Sequence, residues 1–185
     1  MSTTAATMTP TRTTWNIDAS HSQVEFAVKH MMIATVRGRF ADVKGTVVTD
    51  DSDLARAEVD VVIDVNSIDT REAKRDAHLK SADFFDAETF PRITFKSTRV
   101  SGAGGDQFEL VGDLTIHGVT REVTLDVTSE GRAKDPWGGE RAGYSAQTRV
   151  NRKDFGLTWN QALETGGFIV GDEIKISLDL ELVKA

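Results

Sequence analysis

The sequence has no cysteine among its 185 residues. This absence excludes disulfide bonds, thiolate metal ligands and a thiol nucleophile. No run approaches the roughly 18 consecutive apolar residues of a membrane-spanning helix. The formal net charge is −7, and the lysines and arginines are interspersed with acidic residues. No basic patch for nucleic acid is therefore predicted.

The amino-terminal segment lacks the features of a secretory signal, which are a cationic stretch followed by roughly 7–15 apolar residues. Residues 1–14 are instead rich in threonine, serine and alanine. We predict a disordered tail over residues 1–14 and a single domain over residues 15–185. The missing signal predicts a cytoplasmic location.

Sequence motifs of enzymes and metalloproteins are also missing. The chain has no His-Glu-x-x-His and no Gly-x-Ser-x-Gly, and its glycine-rich loops do not have the ending of a phosphate-binding loop. The histidines show no i, i+4 helical spacing for zinc, and they stand at His21, His30, His78 and His117. The residues by themselves therefore indicate no enzyme, no catalytic residue and no metal site.

The sequence does contain long stretches in which apolar and polar residues alternate. QVEFAVKHMMI, residues 23–33, and EIKISLDLEL, residues 173–182, are two of them. Such alternation is typical of antiparallel strands with one apolar and one solvated face. The charged faces could not contact lipid in an outer-membrane barrel, so the apolar faces point inward. The pattern predicts an all-β barrel or sandwich, and an eight-stranded barrel could hold one elongated ligand.

One segment, residues 66–91, interrupts the strands. Asp69 and Glu72 fit a capping box, and residues 70–80 favour a helix. An aromatic cluster of Phe84, Phe85 and Phe90 follows, and Pro91 ends the element. Either this segment covers one end of a barrel or its phenylalanines are ordinary core.

The stretch NRKDFGLTW, residues 151–159, places polar residues beside apolar ones. Its polar members include Asn151, Arg152 and Asp154, and its apolar members are Phe155, Leu157 and Trp159. This mixture suits a pocket for an amphipathic ligand, with apolar walls for the tail and a few polar groups for the head. The alternative is that an Arg152–Asp154 ion pair braces a loop while the aromatic side chains fill the core.

Four blocks of the sequence point to a known family. They are WNIDASHSQVEFAVKHMMIATVRGRF, RDAHLKSADFFDAETFPRITFKST, VGDLTIHGVTREVTLDV and, near the end, NRKDFGLTWN with GGFIVGDEIKISLDLE. In order and spacing they resemble the YceI-like family of lipocalin-like, polyisoprenoid-binding proteins, from about residue 15 to residue 182. The resemblance implies an extended eight-stranded antiparallel barrel with a short helical segment near one end. It also implies a lumen that holds an isoprenoid or other long lipid, and a homodimer.

We therefore expect non-enzymatic binding or carriage of a long amphipathic lipid in the lumen. The candidate lipids are a polyisoprenoid, an isoprenoid quinone, a prenyl phosphate or a fatty-acid derivative, and no other cofactor is expected. The predicted lumen wall consists of Phe26, Val28, Met32, Phe40, Phe84, Phe85, Phe95, Leu114, Phe155, Leu157, Trp159 and Ile176. The predicted head-group residues, inferred from this sequence rather than from the family, are His30, Asn151, Arg152 and Asp154.

Three other readings remain open at this point. The chain could be an enzyme that acts on an isoprenoid-type lipid, with His30 or His21 as general base. It could carry haem or a metal through His30. It could also be a barrel that is plugged by its own side chains and acts through surface contacts. Independently of these, His30 could be a structural residue whose ring binds a backbone carbonyl.

Overall fold

The computed structural model describes residues 11–50 and 53–185. These residues form eleven antiparallel strands and one α-helix, joined by tight turns and short 3-10 helices. The strands are β1 (Arg12–Ile17), β2 (Gln23–His30), β3 (Ala34–Phe40), β4 (Val43–Asp50), β5 (Glu58–Asp64), β6 (Ile68–Asp69), β7 (Arg92–Ser101), β8 (Gln107–Ile116), β9 (Val119–Lys134), β10 (Glu140–Asn151) and β11 (Val170–Lys184). The helix is α1 (Ala73–Lys80).

The eleven strands make an eight-stranded barrel because three of its strands are interrupted. β1 and β2 are two parts of the first barrel strand, and β3 and β4 are two parts of the second, since β1 pairs with β4 and β2 pairs with β3. β5 and β6 form the third, because both pair with the second. β11 closes the barrel by pairing with β10 on one edge and with β1 and β2 on the other. The predicted eight-stranded antiparallel barrel is confirmed.

The two ends of the barrel differ in what covers them. One end, which we call the helical pole, carries α1 and the segments 31–33, 117–118 and 152–169. The other end, which we call the terminal pole, carries the start of β1, the end of β11 and the turns at 102–106 and 135–139. No helix in the described part of the chain is both long and apolar enough to cross a membrane.

The helix begins three residues later than the sequence predicted. Arg71 has a φ of 62°, which is incompatible with a helical turn at that position. Glu72 is the N-cap residue, and its carboxylate accepts a hydrogen bond from the Arg75 backbone N–H. The predicted capping box of Asp69 and Glu72 is therefore wrong, because Asp69 instead accepts a hydrogen bond from the Arg71 backbone N–H at 2.8 Å.

The buried core lies at the two ends of the barrel. The larger cluster includes Ile116, Phe155 and Leu157 at the helical pole, and Leu79 and Phe85 from the α1 segment pack against it. A smaller cluster at the terminal pole consists of Trp15, Ala142 and Leu182. The Trp15 indole N–H donates a hydrogen bond to Thr49 Oγ1 at 3.1 Å, so the polar atom of this buried ring is satisfied.

The predicted tail is shorter than expected. β1 begins at Arg12, and Arg12, Thr13 and Thr14 pair with Asp50, Thr49 and Val48 of β4. Thr13 is buried and lies on the same face of β1 as Trp15. The sequence prediction missed this strand start because threonine suits an extended strand as well as a loop. The rest of the predicted tail, residues 1–10, lies outside the described residues.

Candidate functional site

An apolar cavity of about 240 Å³ lies inside the barrel. Its lining extends from Leu54 and Phe108 near the terminal pole to Phe84 and Phe155 near the helical pole. In the described part of the chain, two charged residues border it, Glu25 and Arg152. The lumen is therefore a site for apolar groups, because a charge buried there without a partner would be strongly disfavoured.

Most of the predicted wall residues do line this cavity. They are Phe26, Val28, Phe40, Phe84, Phe85, Phe95, Leu114, Phe155, Leu157 and Ile176. Met32 and Trp159 do not. Met32 is 64% exposed in the turn after β2, where the two-residue strand period no longer applies. Trp159 packs edge-on against His78, with a centroid distance of 4.8 Å, and contacts Phe84 at 5.2 Å.

The sequence prediction missed the part of the wall formed by β10. Tyr144, Ala146, Thr148 and Val150 face the lumen from this strand. Their signal in the sequence is weak because small and polar residues stand at the inward positions, so the strand lacks a clear apolar row. The alternation still has the correct phase, and a search for the period alone would have found these residues.

Two phenylalanine rings of the wall lie against glycines of the neighbouring strand. Phe26 of β2 is the partner of Gly38 in β3, and Phe95 of β7 lies over Gly112 of β8. A Cβ at Gly38 would come within 2.8 Å of Phe26 Cε1, and one at Gly112 within 2.8 Å of Phe95 Cε2. The missing side chains therefore make recesses that let both rings lie close to the wall.

Arg152 lies at the helical pole and is only 3% exposed. Its guanidinium donates hydrogen bonds to the carbonyl oxygens of Leu157 at 2.7 Å, Trp159 at 2.8 Å and Gly171 at 2.9 Å. Asp172 supplies the nearest carboxylate oxygen, at 3.5 Å. Burial lowers the pKa of Arg152, and the charge of Asp172 opposes that effect. Arg152 thus holds residues 156–171 across the helical pole.

The other three predicted head-group residues are not among the residues that line the lumen. Asn151 is exposed and caps the next turn by accepting a hydrogen bond from the Lys153 N–H at 3.0 Å. Asp154 is exposed, and the carboxylate nearest to Arg152 belongs to Asp172 instead. The expected Arg152–Asp154 pair is therefore wrong. His30 is half-buried at the end of β2. The four residues therefore do not form one polar site in the lumen.

Tyr144 is a further wall residue that the sequence prediction missed. It lines the lumen near the terminal pole, where its ring packs edge-on against Phe108. The surface of the cavity is almost entirely apolar. Tyr144 therefore contributes its ring, and not its hydroxyl, to the lumen wall.

A cluster of charged residues lies outside the lumen, where β1 and β2 meet β11. Asp18, His21 and Glu181 bring their ligand atoms within 4.8 Å of one another, the one such group among the described residues. Arg141 already binds these carboxylates, donating to Asp18 at 2.9 Å and also to Glu181. His21 therefore belongs to an outer ion-pair network and not to a lumen site.

Hydrogen bonds set the titration of this network. The Ser20 hydroxyl, His21 and Arg141 all bind the Asp18 carboxylate, and they hold its pKa well below the ordinary value. The bond to Asp18 in turn raises the pKa of His21. The network closes the barrel seam, because the Asp18 N–H also donates to the Glu181 carbonyl at 2.9 Å.

Comparison with known proteins gives consistent matches. A family model described as the YceI-like domain matches residues 15–182. Protein YceI of Salmonella newport is 40% identical over 141 residues, which cover 76% of this chain and 73% of that protein.

Two solved structures extend the comparison to the fold. BcnA of Burkholderia cenocepacia has a TM-score of 0.78 at 27% identity, and the match covers 89% of this chain and 98% of that one. A polyisoprenoid-binding domain from Saccharophagus degradans has a TM-score of 0.65 and covers 92% of this chain and 98% of its own. It is 15% identical, so this second likeness concerns the fold alone.

Proposed function

This chain belongs to the YceI-like family, and from that premise we propose that it binds the long apolar chain of a lipid in its lumen, without catalysing a reaction. The observation that carries the proposal is the continuous apolar cavity between the two poles. A solved domain with the same fold is described as polyisoprenoid-binding, and this analogy of fold is our reason for proposing an isoprenoid-type ligand. Carriage or storage of such a lipid requires no catalytic group.

The physical driving force for this binding is burial of hydrocarbon. Each buried CH₂ contributes about 0.8 kcal/mol, so each five-carbon isoprene unit contributes roughly 4 kcal/mol before losses from chain ordering. The lumen cavity of about 240 Å³ exceeds the roughly 150 Å³ apolar cavity that is known to bind benzene. Specificity along the chain is weak under this proposal, and the length of the lumen selects the ligand.

The lumen favours a lipid whose head group is uncharged. Arg152 borders the lumen, but its donors are used by backbone carbonyls and Asp172. A phosphate or carboxylate inside the lumen would have no free cation as partner, whereas an uncharged carbonyl or hydroxyl costs much less to bury. We therefore favour a quinone, alcohol or amide over a prenyl phosphate as the group held inside.

Filling the lumen tests the proposal. Ala146→Trp adds bulk inside the lumen, and Gln147→Trp places the same side chain at the next, outward-facing position of β10. We expect Ala146→Trp to abolish uptake of retinol, a fluorescent isoprenoid alcohol, and Gln147→Trp to leave uptake unchanged. Mass spectrometry of an organic extract of the wild-type protein would identify the resident lipid.

The reverse result would contradict the lumen model. If Ala146→Trp, shown by circular dichroism to be folded, still took up retinol as the wild type does, the lipid would bind elsewhere. Homodimer formation stays a separate prediction, and sedimentation velocity of the wild-type protein at several concentrations would test it.

A further inference from the structure

The turn between β2 and β3 exposes three consecutive apolar side chains. Met31 is 40%, Met32 64% and Ile33 83% exposed. Single exposed apolar residues are ordinary on a protein surface, whereas a contiguous group often marks a contact with a membrane or a protein.

The conformation of this turn is unfavourable for the residues that occupy it. Met31 has a φ of 50° and Met32 a φ of 61°, and the Ile33 N–H donates to the His30 carbonyl at 3.2 Å. The hydrogen bond closes a β-turn whose two central residues, Met31 and Met32, both have positive φ, and such a turn is most favourable with Asn-Gly. Folding alone therefore does not account for two methionines here, and strain of this kind concentrates at functional sites.

Phe168 adds a fourth exposed apolar side chain to the same surface. The Met31 N–H donates to the Ile169 carbonyl at 2.8 Å, which places the 161–169 segment beside the turn. Phe168 is 55% exposed. We call Met31, Met32, Ile33 and Phe168 the apolar tip.

The apolar tip lies beside the rim of the lumen. Val28 and Val170 line the cavity, and Val170 is the β-sheet partner of His30, the residue immediately before the tip. The tip thus follows directly on a pair of strands that form the lumen wall.

Three cations lie on the outer face of the barrel next to the tip. Arg37 and Lys175 flank Ala27 on its two neighbouring strands, and Lys29 is two residues further along β2. All three are exposed, and no ion pair involves them in the part of the chain that the structure describes. We call Lys29, Arg37 and Lys175 the cationic face.

The acidic residues nearest in sequence to Lys175 have other partners. Asp172 pairs with Lys153 at 3.0 Å, and Glu173 pairs with Arg149 at 2.6 Å.

Two further exposed acids lie near the cationic face and the tip, Glu25 on the same side of β2 and Glu164 in the 161–169 segment. The three cations outnumber them, so this side of the barrel carries a local excess of positive charge on a protein whose formal net charge is −7.

Salt screens charges over about 8 Å at physiological ionic strength. Lys29, two residues before Met31, is therefore the cation that acts most directly at the tip, and Arg37 and Lys175 lie further away, level with Ala27.

We propose that the apolar tip inserts into the surface of a bilayer that contains anionic lipids, and that the lumen exchanges its lipid there. This inference rests on the proposed function, since a bilayer is the reservoir of a long-chain lipid. Apolar side chains beside cations are the combination that binds such a surface. A second copy of the chain fits less well, because a two-fold contact about the tip would bring two cationic faces together.

Flotation with vesicles of phosphatidylcholine and phosphatidylglycerol tests the proposal on the full chain. Met31→Asn combined with Met32→Gly removes two apolar side chains and installs the residues that the turn prefers, so the variant keeps its fold. We expect its bound fraction to fall by about fivefold or more. Trp137→Ser is the matched control, because Trp137 is 88% exposed at the terminal pole, and it should bind as the wild type does.

The second arm of the experiment varies the charge of the vesicles through their lipid composition. Arg37→Gln combined with Lys175→Gln should lower binding to vesicles with phosphatidylglycerol and leave binding to pure phosphatidylcholine unchanged. Wild-type binding by the turn variant, or loss of binding by Trp137→Ser, would overturn the proposal. The proposal would also be overturned if the wild-type protein bound no vesicles and formed a dimer while the turn variant was monomeric.

Retinol uptake separates failure of the docking proposal from failure of the proposed function. The turn variant should take up retinol from dilute solution with wild-type affinity, and it should accept retinol from vesicles more slowly. If the turn variant took up retinol normally and also bound vesicles as the wild type does, the docking proposal would be wrong and the proposed function would stand. Vesicle binding by a wild-type protein that takes up no retinol would defeat the proposed function and leave docking in place.

Discussion

Phe26 lies across Gly38 on the neighbouring strand, and a Cβ at Gly38 would come within 2.8 Å of its Cε1 atom. The other close neighbour of that Cβ is the Thr70 methyl group, also at 2.8 Å. Both neighbours are ends of side chains, so a larger residue at position 38 can be accommodated by moving them. The direction open to the Phe26 ring is the lumen.

Gly38→Ala should therefore narrow the lumen while the barrel stays folded. We expect the Kd for retinol to rise several-fold, with a loss of stability of about 1 kcal/mol from overpacking. Fluorescence titration and thermal unfolding measure the two effects. Adding Phe26→Leu should restore uptake, and a double variant that binds as poorly as Gly38→Ala would refute the displacement of the ring.

Arg152→Met should destabilise the protein and open the helical pole. The substitution leaves the carbonyl oxygens of Leu157 and Trp159 without their charged donor, and we expect a loss of about 3 kcal/mol in the free energy of unfolding. Denaturant unfolding measures it. Arg149→Met, at an exposed ion pair with Glu173, should cost less than about 1 kcal/mol.

The same variant distinguishes bracing from head-group recognition. If Arg152 only braces the pole, Arg152→Met should raise the Kd values for retinol, retinal and retinoic acid by the same factor. A selective loss for retinoic acid would show that Arg152 contacts an anionic head group after all.

The network of Asp18 and His21 should make stability depend on pH in two directions. The raised pKa of His21 means that its contribution is complete below its unfolded value of about 6.5 and is lost as the pH rises through the folded pKa. The lowered pKa of Asp18 means that its contribution is complete above about 3.9 and is lost on acidification through the folded pKa. The network should therefore contribute most between about pH 4 and pH 6.5.

Asp18→Asn should flatten this profile, because the carboxylate takes part in both effects. Thermal unfolding between pH 3 and pH 9 measures it. Asp53→Asn is the control, since Asp53 also caps a 3-10 turn, through the Ala55 N–H at 3.0 Å. If the stability profile of Asp53→Asn were also flattened, or that of Asp18→Asn were unchanged, the pH dependence would not come from the Asp18–His21 network.

The sequence by itself determined the strands and their inward faces. Val59, Val61 and Ile63 stand at every second position of β5, and the acidic residues of this strand lie on the other face. The pattern repeats in β11, so the direction of each side chain followed from a period of two. That local rule was enough for an all-β fold and for most of the lumen wall. It failed where the chain leaves the strands, at Met32 and Trp159.

The tertiary structure alone decided which residues meet across the barrel. Arg152 binds carbonyls and a carboxylate up to 20 residues away instead of Asp154, Phe26 lies on Gly38, and Tyr144 enters the lumen from a strand with no clear apolar row. These contacts depend on strand register and barrel closure. Alternation sets the face on which a side chain lies, but only pairing between distant segments sets its neighbours.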